Sequence, residues 1–471
     1  MKTQKKLIHV LIIYCACIFV CEMTVQARDL AVTSTEKNVG QKSDSTIQMP
    51  EYRRDFDQRE KSYSHNAMSQ DVRHDEMAGN FPSDDTPSSD NLPEWLSRFK
   101  VSGYIQAQYQ YGEKDASLNI GSKNENPEKA FNRIGIRRGR IKLTYEENIV
   151  SGVFQLDLTE KGIKFKDVYL NIKDPWIKTN SLRAGIFDRP FGFEISHSSS
   201  QRETPERSTV FQTLFPEERD MGAMLQLQPA KASPLHLLKL QAGLFAGNGI
   251  KQETDSRRDF IGHLSVAEDI GKALNIGGGF SYYQGSVYQG SENVYRMINR
   301  FFVLDNNPEN KGKFAKRQYI GFDAQVNYKS CLGLTQVRAE YLFGKQPGRQ
   351  TDSDSPNSSD LPETDTYIRN FNGGYVVFIQ GLGKIPISAI IKYDWYDPNT
   401  DVKKDDIGLN NTGVGDITRQ TFGVGGLWNI NSNLRLQAFY EFNSNEKSAN
   451  LQGYDVNRKD DVFTLRLQYK F

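Results

Sequence analysis

Cysteine is almost missing from this chain. Four occur in 471 residues, and three of them (Cys15, Cys17, Cys21) fall within the first 21. Cys331 alone remains, which excludes an internal disulfide framework. Long apolar runs are missing as well. The one candidate, residues 7–21, is short for a membrane span. It follows Lys2, Lys5 and Lys6 and precedes Val25-Gln26-Ala27, a small-residue cleavage pattern. Residues 1–27 therefore read as a secretory signal, with a mature start at Arg28. Acylation at Cys17 or Cys21 is the alternative, although Tyr14 and Val20 fit that pattern poorly. A mean hydropathy of −0.61 with 25% charged residues excludes a helical membrane protein. It does not exclude a barrel, whose lumen face is polar. No sign of charge dominates. Lys and Arg total 59 against 58 Asp and Glu, so no global field argues for nucleic acid.

Catalytic motifs are absent too. There is no G-x-S-x-G, P-loop, H-E-x-x-H or C-x-x-C. His197 stands before Ser198, Ser199 and Ser200, so a Ser/His hydrolase is one rival. Adjacency alone does not supply the spatial convergence and orienting group that a nucleophile needs. Asp397, Asp401, Asp405 and Asp406, with Asp416 beyond, lack calcium-loop spacing and read as a solvated acidic loop. No metal or cofactor is implied, and no enzyme activity is expected.

What is present is alternation. From Val462 to Phe471, apolar Phe463, Leu465, Leu467, Tyr469 and Phe471 alternate with Thr464, Arg466, Gln468 and Lys470. A strand puts these sets on opposite faces. A sandwich strand and a transmembrane barrel strand share that pattern, so the rest of the chain decides. Residues 28–93 are polar and aperiodic and read as a disordered periplasmic arm. From residue 94 the alternation returns and predicts a barrel domain over 94–471. Sixteen strands are expected, near 99–111, 133–147, 151–160, 164–173, 181–187, 220–228, 235–247, 258–267, 273–285, 316–329, 334–346, 367–381, 386–397, 416–429, 434–446 and 459–471.

The connections sort by length. Short ones, such as 148–150, 330–333 and 431–433, alternate with long ones near 112–132, 188–219, 286–315, 347–366 and 398–415. The brief connection at Lys161-Gly162 is the exception on the long side. A sandwich has no reason to sort its loops this way, whereas an outer-membrane barrel does. Tyr109, Tyr111, Tyr145, Tyr393, Trp395, Trp428, Tyr469 and Phe471 lie near strand ends, where interfacial girdles belong. A closed hydrogen-bonded barrel also stabilises an exported chain that has no bridge. The fold class is thus an all-β transmembrane antiparallel barrel.

Parity in the second strand places Arg138, Arg140, Lys142 and Thr144 on the lumen side. A bulge near Gly139 would flip the residues above it. Arg183, Arg338, Arg435, Arg466 and Lys470 are further inward candidates. A row of cations lowers the barrier for anions. The same arginines could instead pair with Asp157, Asp167, Asp323, Glu340 and Glu441 and merely solvate the lumen.

Several motifs resemble those of the phosphate-selective porin O and P family. They are Arg138-Gly139-Arg140, Phe154-Gln155-Leu156-Asp157, Lys166-Asp167-Val168-Tyr169-Leu170, Arg183 through Glu194 with its G-x-F-x-x-P-F-G-x-E string, Ser198-Ser199, Glu206-Arg207 and Arg219-Asp220-Met221-Gly222. The resemblance implies a sixteen-stranded, homotrimeric porin in the outer membrane of a Gram-negative bacterium, in contact with its lipid. It also implies that the third extracellular loop, residues 188–219, folds inward as a constriction. Arg189, Arg202, Arg207 and Arg219 would lie in or near it. That loop also carries Asp188, Glu194, Glu203, Glu206, Glu217 and Glu218. Its mixed charge favours general passage of small hydrophilic solutes with an anion preference, phosphate or polyphosphate among them. The resemblance also makes Phe471 a recognition signal for membrane insertion. The rival from another class is an adhesin or surface receptor with a closed lumen.

Overall fold

The computed structural model describes residues 94–471. The expected signal (1–27) and polar arm (28–93) lie outside the described residues. A short helix, α1 (Glu94–Ser97), leads into eighteen strands. These are β1 (Phe99–Gly112), β2 (Phe131–Glu147), β3 (Val150–Thr159), β4 (Gly162–Lys173), β5 (Ser181–Asp188), β6 (Arg219–Leu227), β7 (Leu238–Phe245), β8 (Asp259–Ile270), β9 (Leu274–Tyr288), β10 (Asn293–Ile298), β11 (Phe301–Asn306), β12 (Phe314–Ser330), β13 (Gly333–Gly348), β14 (Thr366–Gly381), β15 (Ile387–Asp397), β16 (Arg419–Asn429), β17 (Leu434–Asn445) and β18 (Val462–Lys470). A second helix, α2 (Thr209–Leu214), sits in the loop between β5 and β6.

Sixteen of the strands close an antiparallel barrel. β1 through β9 pair in sequence, β9 pairs with β12, β12 through β18 continue, and β18 returns to β1. Closure leaves no edge, which the hydrocarbon layer requires because it offers backbone groups no partner. β10 and β11 are an added hairpin within the loop expected at 286–315. Asn299 and Arg300 form its turn at positive φ, and β10 runs parallel to the start of β14. The sequence pattern predicts a loop here rather than strands. The two strands are only six residues each, below the length that marked the others.

The alternation sorts as a membrane demands. Ile134, Ile141, Leu143, Phe154, Leu170, Val376, Leu465 and Leu467 are exposed on the outside, whereas Gln106, Gln108, Gln110, Gln437, Thr464 and Gln468 are buried within. At the seam, Gly103 and Phe471 exchange backbone hydrogen bonds of 2.9 and 3.0 Å. A Cβ at Gly103 would meet the Phe471 ring at 2.6 Å, so the glycine makes room for the terminal aromatic. Tyr111 and Tyr393 towards one rim and Trp428, Tyr469 and Phe471 towards the other are exposed outward.

Candidate functional site

The lumen is governed by L3 (189–218), the third connection on the long-loop side after 113–130 and the brief one at Lys161. It turns into the barrel directly after β5. The Arg189 Nε–H donates to Asp220 at 3.1 Å across its base. Gly192 has φ +63°, and a Cβ there would run into the Glu340 carboxylate. Its N–H donates to Ser281 Oγ at 2.8 Å. Glu340 in turn accepts the N–H groups of Phe193 (2.9 Å) and Glu194 (2.5 Å) and the Tyr375 hydroxyl (2.6 Å). The Glu194 carboxylate accepts from the Ser208 N–H and hydroxyl at the head of α2. The P-F-G-x-E string is therefore the anchor that turns L3 inward, as the resemblance implied.

Past the anchor, L3 meets two unlike walls. On one side Phe191, Ile195, Val210, Phe211, Leu214 and Phe215 pack against inward-facing Phe187, Phe245, Tyr283, Tyr319, Phe371 and Tyr375. An apolar core inside a lumen was not legible from binary patterning, which assigns inward positions to polar residues. On the other side L3 is clasped by polar groups. The carboxylate of Glu206 is held by Arg137 (2.8 and 2.9 Å), Arg138 (2.9 Å) and Arg466 (2.8 Å). Burial alone would raise the Glu206 pKa, but Arg137, Arg138 and Arg466 hold it well below the ordinary value. Arg338 takes Glu203 through two bonds of 2.8 and 3.0 Å. Arg435 donates to the carbonyls of Gln201, Ser199 and Arg202, and Gln106 and Gln468 donate to those of Ser199 and Ser200.

Arg137 enters this clasp because of a bulge. The β1–β2 register shifts between Gln106, opposite Arg138, and Ala107, opposite Ile136. Arg137 is the extra residue, so neighbours that a regular strand would point apart both reach Glu206. The sequence raises a bulge near Gly139 only as a condition that would flip the residues above it, and strand parity does not place Arg137 in the site.

The sequence-expected cations divide into four sets. Arg138, Arg338, Arg435 and Arg466 hold L3. Arg189, Arg202, Arg207 and Arg219 belong to L3 and its exit: Arg207 pairs with Glu218, and Arg219 with Asp167, Asp188 and Glu218. Arg140 pairs with Asp157 at 3.2 Å on β2–β3. Three keep contact with solvent. Lys142 is half-buried one rung below Arg140 and makes no ion pair among the described residues. Arg183 lies over the Tyr169 ring at 4.6 Å, and Lys470 is exposed at the end of β18. Of the carboxylates expected to pair with arginines, Asp157 and Asp167 do. Asp323 instead meets His263 at 3.0 Å, and Glu340 serves the L3 backbone.

Two other motifs resolve differently. His197 Nε2 lies 3.4 Å from Glu203 and 3.3 Å from Arg338 Nη1. Burial, reinforced by Arg338, pushes its pKa down to about 4. The acidic loop forms no group of three metal-ligating side chains among the described residues. Its Asp416 is fully buried on Arg369, at 2.7 Å, rather than solvated.

A closed antiparallel barrel with a lipid-compatible exterior and an inward third loop defines an outer-membrane channel. The chain belongs to the phosphate-selective porin O and P family, which matches residues 97–351. Among solved structures, Pseudomonas putida OprB at high pH is 10% identical at a TM-score of 0.50, covering 80% of this chain and 96% of that one. The channel DcaP of Acinetobacter baumannii is 13% identical at 0.48, covering 79% and 97%. The trimer form of Vibrio cholerae OmpT is 12% identical at 0.46, covering 79% and 99%. The comparison with curated proteins returns no match. The protein is thus an outer-membrane porin of the Gram-negative type, a channel for small solutes. Family and fold point to a channel rather than an enzyme.

Proposed function

We propose that this porin passes small hydrophilic solutes by diffusion with a preference for inorganic anions, phosphate among them, and that it works as a homotrimer. The observation that carries the preference is Lys142, a half-buried lumen cation with no ion pair among the described residues. Arg183 and Lys470 extend it along the lumen face. The family's phosphate selectivity and the trimer form of OmpT support the finer reading. In it, the buried arginines serve chiefly to fix L3, and the three solvated cations are what a passing ion meets. A solvent-accessible cation on the lumen face raises the local concentration of its counter-ion.

The test is the zero-current potential of the protein in a planar bilayer across a salt gradient. Anion preference is expected, reduced by Lys142→Glu and further by Lys142→Glu with Lys470→Glu. Phosphate should slow chloride passage. A cation-selective wild type would refute the preference, and the absence of conductance steps would favour the closed-lumen receptor.

A further inference from the structure

A second feature lies behind L3, away from the route just proposed. Between the loop and strands β13–β15 is a small cavity, about 20 Å³ for the centre of a water-sized sphere. That is room for a single water or monatomic ion. Glu194, His197, Arg202, Glu203, Arg338 and Lys392 line it. Arg338 is paired bidentately with Glu203, and Lys392 is shared between Asp394 (3.2 Å) and Glu194 (3.9 Å). Arg202 has no carboxylate of its own. Its nearest, Glu206 at 3.9 Å, is already held more closely by Arg137, Arg138 and Arg466.

Arg202 donates from Nε and Nη2 only to the carbonyls of Thr204 and Pro205. Its Nη1 is buried without a partner, and so is Nε of Arg338. The two side chains are 3% and 4% exposed, so water outside the cavity does not satisfy them. A buried guanidinium with orphan donors and a shared counter-charge is costly to leave that way. Burial, then the neighbouring Arg207 and Arg138, press the Arg202 pKa well below its ordinary value, and a counter-ion would relieve this.

We propose that this cavity holds one resident monatomic anion, chloride in a saline medium, on Arg202 Nη1 and Arg338 Nε. The ion is a fixed part of the loop's seat and not a permeating solute. Phosphate, with five heavy atoms, does not fit the volume. A resident ion joins L3, through Arg202, to the wall, through Arg338, so its binding stabilises the docked loop.

Crystals of the full-length protein grown in sodium bromide, with data collected at the bromine edge, test this directly. An anomalous peak in the cavity is expected for wild type and its loss for Arg202→Gln. Should that variant fail to fold, a measurement on wild type alone remains: the temperature at which the folded band disappears on SDS electrophoresis. At equal ionic strength this should be several degrees higher in chloride or bromide than in gluconate, which is too large to enter. A map showing only water in the cavity, or equal temperatures in halide and gluconate, overturns the proposal. Neither measurement uses conductance, so the outcome is separate from that for anion preference.

Discussion

The two flanks of L3 do different work. The apolar flank seats Phe191, Phe211 and Phe215 among the inward aromatics of β5 to β14. Such packing is strong in sum and tolerant of position, because dispersion and hydrophobic contacts have little directional preference. The polar flank is the reverse. Glu206 fits only where three guanidiniums converge, and moving it leaves those charges buried and uncompensated. The apolar flank therefore sets how firmly the loop is held inside, and the polar flank sets where its edge stands against β1, β2 and β18. The edge position decides the width of any passage, so the polar flank is the one tied to function.

The largest effect should follow from Glu206→Gln. It leaves Arg137, Arg138 and Arg466 without their carboxylate. Breaking one partner of a buried ion cluster costs about 3 kcal/mol. The edge of L3 should detach while the apolar flank stays seated. Single-channel records should then show larger, noisier conductance, and anion preference should rise because three cations are freed. Phe215→Ala should cost a similar ~3 kcal/mol through the cavity it leaves, lowering the unfolding temperature on SDS electrophoresis. Yet it should change open-channel conductance far less than Glu206→Gln does, since cavity formation acts locally where the surroundings relax little. Equal conductance changes in the two variants would break the distinction between the flanks.

Much of this was legible in the sequence, for a physical reason. Lipid outside and water or polar groups inside impose a period of two over every strand. The sixteen expected strands correspond one to one with the barrel strands, with boundaries shifted by a few residues. Loop sorting separated a barrel from a sandwich, and the resemblance implied that residues 188–219 fold inward. The partners of the arginines were not legible. They depend on a one-residue bulge at Arg137 and on where the inward loop lays Glu203 against Arg338 and Glu206 against Arg137, Arg138 and Arg466. Nor was the apolar core inside the lumen. Phe187, Tyr283, Tyr319 and Phe371 sit at inward positions, where alternation alone expects polar side chains. The residues that make the wall were read from their own strands, whereas those that make the site are set by contacts between distant ones.

The smallest expected effect concerns pH and sharpens the same contrast. The folded pKa of Glu206 is depressed below its ordinary value, with burial opposing the shift and Arg137, Arg138 and Arg466 driving it. A depressed carboxylate contributes stability that is fully present above its unfolded pKa and is lost only as pH falls through the folded one. The Glu206 clasp's own contribution to conductance and unfolding temperature should therefore stay level between about pH 8 and pH 5, since its carboxylate remains ionised throughout that range. The Phe191, Phe211 and Phe215 rings of the apolar flank carry no titrating group and should show no dependence of their own. In Glu206→Gln the residual pH dependence below about pH 5 should shrink relative to wild type. A wild-type channel whose L3-dependent noise already rises near neutral pH would mean that some other titrating group, and not the Glu206 clasp, fixes the loop's edge.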